Sequence, residues 1–167
     1  MAALSPAALD VLEHTPSVLR AILAPLPAVV AETPGAEGWS PHDVAAHLAS
    51  LTGPTFVDRV TLMLEQDDPL VPGIDEHEIL EASGLRGKPL AALLDGFEAH
   101  RKEAVAWARG ITPEQLARTG RHQVAGPLTV AEIINHKAWH DLMHIRQALT
   151  LIGEPLDEGR GAMRIFT

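Results

Sequence analysis

The amino-acid sequence predicts an all-α protein, an antiparallel four-helix bundle with a long connection between its second and third helices. Three observations lead there. Apolar residues recur at three- and four-residue spacing in the long segments, helix start signals precede them, and no stretch alternates as a half-buried strand would.

The first helical segment runs from Ser5 to about Val30, where Leu9, Leu12, Leu19, Ile22, Leu23 and Leu26 keep the helical period. Thr15-Pro16 has the form of a cap followed by a first-turn proline, so this segment is one kinked helix or two in series. Ala31 to Gly38 reads as a loop. Trp39-Ser40-Pro41 repeats the start signal: Ser40 caps, Pro41 is the first helical residue and Asp43 suits the positive helix end, so a second helix runs to about Glu65. Between Gln66 and Lys88, Pro69, Pro72, Gly73, Gly84 and Gly87 predict the long connection, with at most a short helical piece. The third helix spans Pro89 to Arg109 through Leu90, Leu93, Leu94, Phe97 and Trp107, and ends at Gly110. Thr112-Pro113 opens a short turn, and residues 118 to 127 read as a loop. Thr129 caps a last long helix to about Ile152, which Gly153 and Pro155 stop. The tail to Thr167 is weakly patterned.

The 167 residues fit one domain spanning 1–167, large enough to bury roughly two thirds of the surface an unfolded chain exposes. No apolar run approaches the roughly 18 residues that cross a bilayer, and the N-terminus carries acids early with no basic leader, so a cytoplasmic address and no membrane partner are expected. A net charge of −9 with scattered Lys and Arg offers no footprint for a phosphate backbone, so no nucleic acid is expected either. There is no cysteine, which excludes disulfides, a thiol nucleophile and thiolate-ligated metal sites. Nine histidines against three phenylalanines direct attention to histidine.

In the second helix, His47 lies inside the apolar stripe of Val44, Leu48 and Leu51, so it points inward. In the last helix a turn of about 100° per residue brings Ile133, His140, His144 and Leu151 within about 40° of one line, which aims two more imidazoles at the core. Four-residue spacing stacks His140 and His144 on one side as two ligands of one ion. Unpartnered buried imidazoles are costly, and a divalent metal taking one nitrogen from each removes that cost. Three neutral nitrogens suit Zn, Ni or Fe, with open positions of the catalytic type. The other reading of each histidine is a hydrogen-bonded core residue, and spacing alone does not bring the two helices together.

The segments GWSPHDVAAHLASL and INHKAWHDLMHIRQAL resemble the DinB-like superfamily of metal-binding four-helix bundles, and LEHTPSVLRAIL resembles that family's first helix, so the likeness spans about residues 10 to 152. The family pattern is a Trp-Ser or Trp-Thr helix start with a histidine eight residues after the Trp, then HxxxHxxQ. His47 stands eight after Trp39, and His140, His144 and Gln147 match the second half. The resemblance implies that His47, His140 and His144 are the ligands of one divalent metal ion and that the protein forms homodimers.

It also implies a metal-dependent enzyme, in the first instance a thiol-dependent S-transferase in which the ion activates a low-molecular-weight thiol. The absence of cysteine fits a thiol brought in as a small-molecule substrate. The alternatives are a hydrolase using water at the same position and a non-catalytic metal-binding stress or accessory protein, since no general acid or base stands out. His136, one turn before His140, is a candidate fourth ligand, but it drifts away from His144 and reads first as structural. Asp141 pairs with Lys137 or orients a ligand histidine, and Gln147 bonds near the site or caps a helix contact. Arg86, Arg101 and Arg146 are candidate anion anchors, while His14, His42, His77, His100 and His122 read as solvated.

Overall fold

Four helical stretches bury the apolar faces in the computed structural model, which describes residues 2–166. They are α1 (Ala8–Leu23), α3 (Pro41–Ser50) continued by a π-helical turn (Thr52–Val57) into α4 (Asp58–Glu65), α6 (Leu90–Ala108) and α8 (Val130–Gly159). Shorter helices fill the connections: α2 (Ala28–Glu32), α5 (Glu76–Ser83) and α7 (Pro113–Leu116). The result is the expected four-helix bundle. Helix α1 packs on α6 and α8, and α3 packs on the same two, so α1 and α3 face each other across a diagonal. The first connection, residues 24–40, and the last, 109–129, are therefore the crossovers. The long stretch 66–88 joins two neighbours.

The start signals act as the sequence implied. The Ser40 hydroxyl accepts from the Asp43 N–H at 3.1 Å while the Asp43 carboxylate accepts from the Ser40 N–H at 2.9 Å. Thr129 and Glu132 repeat this box at the head of α8, at 3.3 and 2.8 Å. Gly110 ends α6 as expected, but the signals at Pro16, Gly153 and Pro155 do not stop their helices. Helix α1 continues through Pro16, and Thr15 bonds back to the Val11 carbonyl at 2.8 Å instead of capping. Pro16 has no N–H for the Leu12 carbonyl four residues earlier, and buried Arg101 donates to that carbonyl at 3.2 Å. The chain breaks later, at Ala24 to Pro27. Helix α8 likewise runs past Gly153 and Pro155, both on exposed final turns where water can meet the freed carbonyl. In the middle of the second stretch, Pro54 denies an N–H to the ladder and the turn widens to the π form.

A three-stranded sheet corrects the expectation of no strand. Leu70–Val71 (β1) pairs in parallel with Thr119–His122 (β2), which pairs antiparallel with Gly126–Thr129 (β3). Residues 118–127 are thus a hairpin, not a loop. Its sequences, TGRH and GPLT, carry no apolar alternation, so nothing in the pattern announced it. Gly120 allows the close packing, because a Cβ there would stand 3.2 Å from Met63 and Val71.

The core divides in two. One cluster gathers Leu12, Phe56, Val60, Met63, Val105 and Ile134, the other Leu19, Val44, Leu48, Leu94, Phe97 and Ala148. On each helix a buried polar residue falls between them in sequence: Thr15 on α1, Thr52 on the π turn, Arg101 on α6 and Asp141 on α8. Among the described residues no helix is long and apolar enough to cross a membrane.

Candidate metal centre

Helix α3, fixed at its head by the Ser40 box, turns His47 into the bundle with 3% exposure. Helix α8 presents His140 and His144 to it. The structure brings together the three histidines singled out from the sequence: one ring nitrogen of each lies within 4.8 Å of the others. Ring centroids are 4.5 Å apart for His47 and His144, 4.4 Å for His140 and His144 and 5.4 Å for His47 and His140.

A fourth group was not foreseen. Glu76 opens α5, whose N-terminus Asp75 caps by accepting from the N–H groups of His77 and Glu78 at 2.9 and 3.1 Å. Its Oε2 stands 3.4 Å from Nε2 of both His47 and His140. The acids around position 76 signal a helix start, but no periodicity of so short a helix says which residue turns inward. Trp39 closes another side, edge-on to His47 with centroids 5.3 Å apart and 6.5 Å from His144. Arg86 lies over the Trp39 ring at 5.7 Å and pairs with Asp43 at 3.2 Å and Glu81 at 2.7 Å, so it is a clamp and not a free anion anchor.

Burial pushes His47 below the ordinary imidazole range. Burial also pushes His144 down, to about 4, against the opposing bond to Gln147. His140 goes the other way: burial lowers it, but the Asp141 and Glu76 carboxylates together outweigh that. Contacts with His140 and His47 hold Glu76 well below the usual carboxylate range. Two of the three rings are therefore neutral at pH 7, as ligands must be.

The hydrogen-bond pattern fits a cation. Both ring nitrogens of His47 and Nδ1 of His140 are buried without a hydrogen-bond partner among the described residues. Each such orphan costs roughly 1–3 kcal/mol. The 3.4 Å approach of Glu76 to His47 is close enough for charge attraction without hydrogen-bond geometry. His144 Nδ1 donates to Gln147 Oε1 at 2.7 Å, which leaves Nε2 with its lone pair free. Three imidazole nitrogens with a carboxylate alongside suit a divalent first-row ion.

One layer away, Arg101 and Asp141 form an ion pair in which both side chains are fully buried. Arg101 also approaches the Thr52 hydroxyl at 3.4 Å, and Lys137 Nζ lies 3.2 Å from Asp141 Oδ1. The expected pair of Asp141 with Lys137 is present, but Arg101 is its fully buried partner and no anion anchor. Asp141 Oδ1 stops 4.0 Å short of His140 Nδ1. His136 stacks on Trp139 outside the triad, with centroids 5.8 Å apart. His42 is not solvated: it is buried, and its Nε2 bonds to the Lys88 carbonyl at 2.9 Å. His14 and His122 bond to nearby backbone, His77 meets Trp39 edge-on at 5.5 Å, and Arg146 is exposed.

Comparison with known proteins agrees with this picture. The family model described as DinB superfamily matches residues 11–148. Two proteins of Oceanobacillus iheyensis, each named a putative metal-dependent hydrolase, are 26% identical over 114 residues and 27% identical over 117. The matches cover 68% and 67% of this chain and 65% of each relative, so just under two thirds of the relatives' length is spanned. The solved structure of YfiT from Bacillus subtilis, described as a probable metal-dependent hydrolase with an unusual four-helix bundle topology, matches with a TM-score of 0.76. At 23% identity over 86% of this chain and 83% of that one, it shares the fold.

Proposed function

The chain belongs to the DinB superfamily, and from that premise we propose that it is a metal-dependent hydrolase in which His47, His140 and His144 hold one divalent cation and Glu76 carries the proton. The observation that supports this reading is the Glu76 carboxylate, 3.4 Å from two of the three imidazoles. A cation in a site of this kind supplies Lewis acidity, which can bring the pKa of a water beside it to about 7.

The chain's own residues supply the rest. Gln147 holds the Nδ1 proton of His144 and so fixes which nitrogen faces the ion. Trp39 walls one side of the imidazole cluster against water. Glu76, 3.4 Å from two of the three imidazoles, accepts a proton from the attacking water as the water oxygen bonds to the acyl carbon. It returns that proton to the leaving nitrogen or oxygen as the old bond breaks. This role requires release from the His140 and His47 contacts that hold its carboxyl low.

The test is elemental analysis of protein purified without an affinity tag, followed by an ester and amide assay of the loaded protein. Glu76→Gln should keep the metal and lose about 10²- to 10⁴-fold in kcat. Full activity in that variant would remove Glu76 from the mechanism, and failure to take up Zn, Ni or Fe would end the reading altogether. A thiol included in the assay separates the two enzyme chemistries: thiol consumption without hydrolysis would replace this reading by S-transfer. A homodimer is proposed through the exposed apolar stripe of Trp139, Leu142, Leu149 and Leu156 on α8. Sedimentation of the wild type against Leu142→Asp checks it.

A further inference from the structure

The loop that presents Trp39 is drawn tightly onto α8. The Gly35 N–H donates to the Trp39 carbonyl at 2.8 Å, the Gly38 N–H donates to Gly35 at 3.0 Å, and Gly38 has a φ of +79° that favours glycine. A Cβ on Gly35 would stand 2.5 Å from the Leu151 side chain, so the loop lies directly on the helix. Between loop and helix a cavity of about 610 Å³ remains, within the range of small-molecule sites.

Its lining joins the candidate centre to a distinct chemical environment. His144 and Gln147 line it on the side of the triad, and Trp39, Met143 and Leu151 give it apolar walls. Gln147 commits only its oxygen, to His144, and its amide N–H groups make no hydrogen bond among the described residues. The charged lining residues are Arg146, Glu37 and Glu154. Among the described residues none of these three belongs to an ion pair, although all share one cavity. One positive and two negative exposed groups border this apolar space. A simple anion meets two carboxylates, and a purely apolar molecule makes no use of the three charges. A molecule with an ammonium at one end, a carboxylate at the other and apolar substituents between them answers all of them.

We propose that this cavity is the substrate seat of the centre and that its substrate class is a small zwitterionic amide of dipeptide size. The ammonium faces Glu37 and Glu154, the carboxylate faces Arg146, and the apolar side chains lie on Trp39, Met143 and Leu151. The reaction rests on the hydrolytic reading above. The oxygen of water bonds to the amide carbon beside His144, the C–N bond breaks, and a proton from that water goes to the departing nitrogen. The binding claim stands on the cavity alone.

Calorimetry with the full chain, metal-free and Zn-loaded, tests it with three probes: alanyl-leucine, its N-acetyl form lacking the ammonium, and its C-terminal amide lacking the carboxylate. Alanyl-leucine should bind the metal-free chain about tenfold or more tightly than either capped form, a difference of about 1.4 kcal/mol. Arg146→Ala should make alanyl-leucine and its amide equivalent, and Glu37→Gln with Glu154→Gln should do the same for the N-acetyl form. All three residues are exposed, so these variants keep the fold, which circular dichroism checks. Equal binding of capped and uncapped probes, or no saturable binding of any, overturns the assignment. If Zn is taken up and a simple aryl ester is cleaved while the capped probes bind equally, the substrate class falls and the hydrolytic centre stands. If no Zn is taken up but the metal-free chain still prefers alanyl-leucine, the cavity assignment stands and the hydrolytic reading falls.

Discussion

Helix α8 carries two polar clusters on adjoining faces, and they are built on opposite terms. Lys137 and Asp141 meet Arg101 in a layer where charge answers charge and both members of the Arg101–Asp141 pair are sealed from water. His140 and His144 meet His47 in a layer where, among the described residues, three ring nitrogens lack a hydrogen-bond partner and the nearest carboxylates are Glu76 at 3.4 Å and Asp141 at 4.0 Å. The first cluster pairs its charges within the chain, although Lys137 Nζ and Asp141 Oδ1 approach without a hydrogen bond. The second is complete only with something the chain does not contain. The difference teaches where to look for function in such a bundle: the cluster with closed pairing holds helices together, and the cluster with open valences holds a ligand.

The largest expected effect breaks the closed cluster. Arg101→Leu removes one partner of a fully buried pair, leaves Asp141 with Lys137 alone and also withdraws the donor that answers the Leu12 carbonyl orphaned by Pro16. Urea denaturation should show a loss of about 3–5 kcal/mol. Arg101→Leu combined with Asp141→Leu and Lys137→Met should recover part of that loss, because no buried charge of the layer is then left alone. A cost below about 1 kcal/mol for the single variant would mean the cluster is not closed in the sense argued.

The open cluster should respond in binding and much less in stability. His47→Ala should lower Zn affinity more than about 100-fold, beyond the 10- to 100-fold expected from losing a mere supporting partner. Helix content by circular dichroism and the denaturation midpoint of the metal-free protein should change far less than in Arg101→Leu. Unchanged affinity would remove His47 from the ligand set. Gln147→Leu belongs in the intermediate class: it frees the His144 tautomer without deleting a ligand, so a 10- to 100-fold loss in Zn affinity is expected, with the metal-free fold intact.

The two clusters also differed in how well the sequence announced them. His47, His140 and His144 were legible because each sits within an apolar helical stripe whose direction follows from the period, and because the Ser40 and Thr129 boxes mark where those helices begin. Glu76 was not legible, since it enters from a connection whose Pro and Gly content hides an eight-residue helix. Arg101 was misread for a related reason. Its burial depends on Leu12, Thr52 and Asp141 arriving from three other helical stretches, and no local pattern encodes that meeting. Pro16 and Pro155 misled because their local cost is real but is offset in one case by Arg101 and in the other by solvent. The hairpin at 119–129 rests on backbone pairing and a close glycine contact, so side-chain periodicity had nothing to report.

The smallest effect expected is the separation of the two clusters along the pH axis in the metal-free protein. Burial holds His144 at about 4, against an unfolded value of 6.5, so the folded state binds its proton less readily than the unfolded state does. Stability from this group is fully present above pH 6.5 and is lost as pH falls from 6.5 towards 4. His47, also lowered by burial, acts in the same direction, while His140, raised by its carboxylate neighbours, opposes them. Asp141 resists protonation until far lower pH: burial raises it, but the charges of Lys137 and Arg101 hold it well below the usual carboxylate range. Its contribution is therefore present above the ordinary aspartate value and lost only as pH falls below it. Thermal midpoints measured from pH 7 to pH 3 should fall in two stages, imidazoles first and the low carboxylates last, Glu76 beside the imidazoles together with Asp141 in the Arg101 layer. His144→Gln should flatten the upper stage alone. Zn should shift the whole upper stage to lower pH, because it competes with protons for the same nitrogens. An upper stage that survives His144→Gln and ignores Zn would show that the imidazole cluster is not the open one.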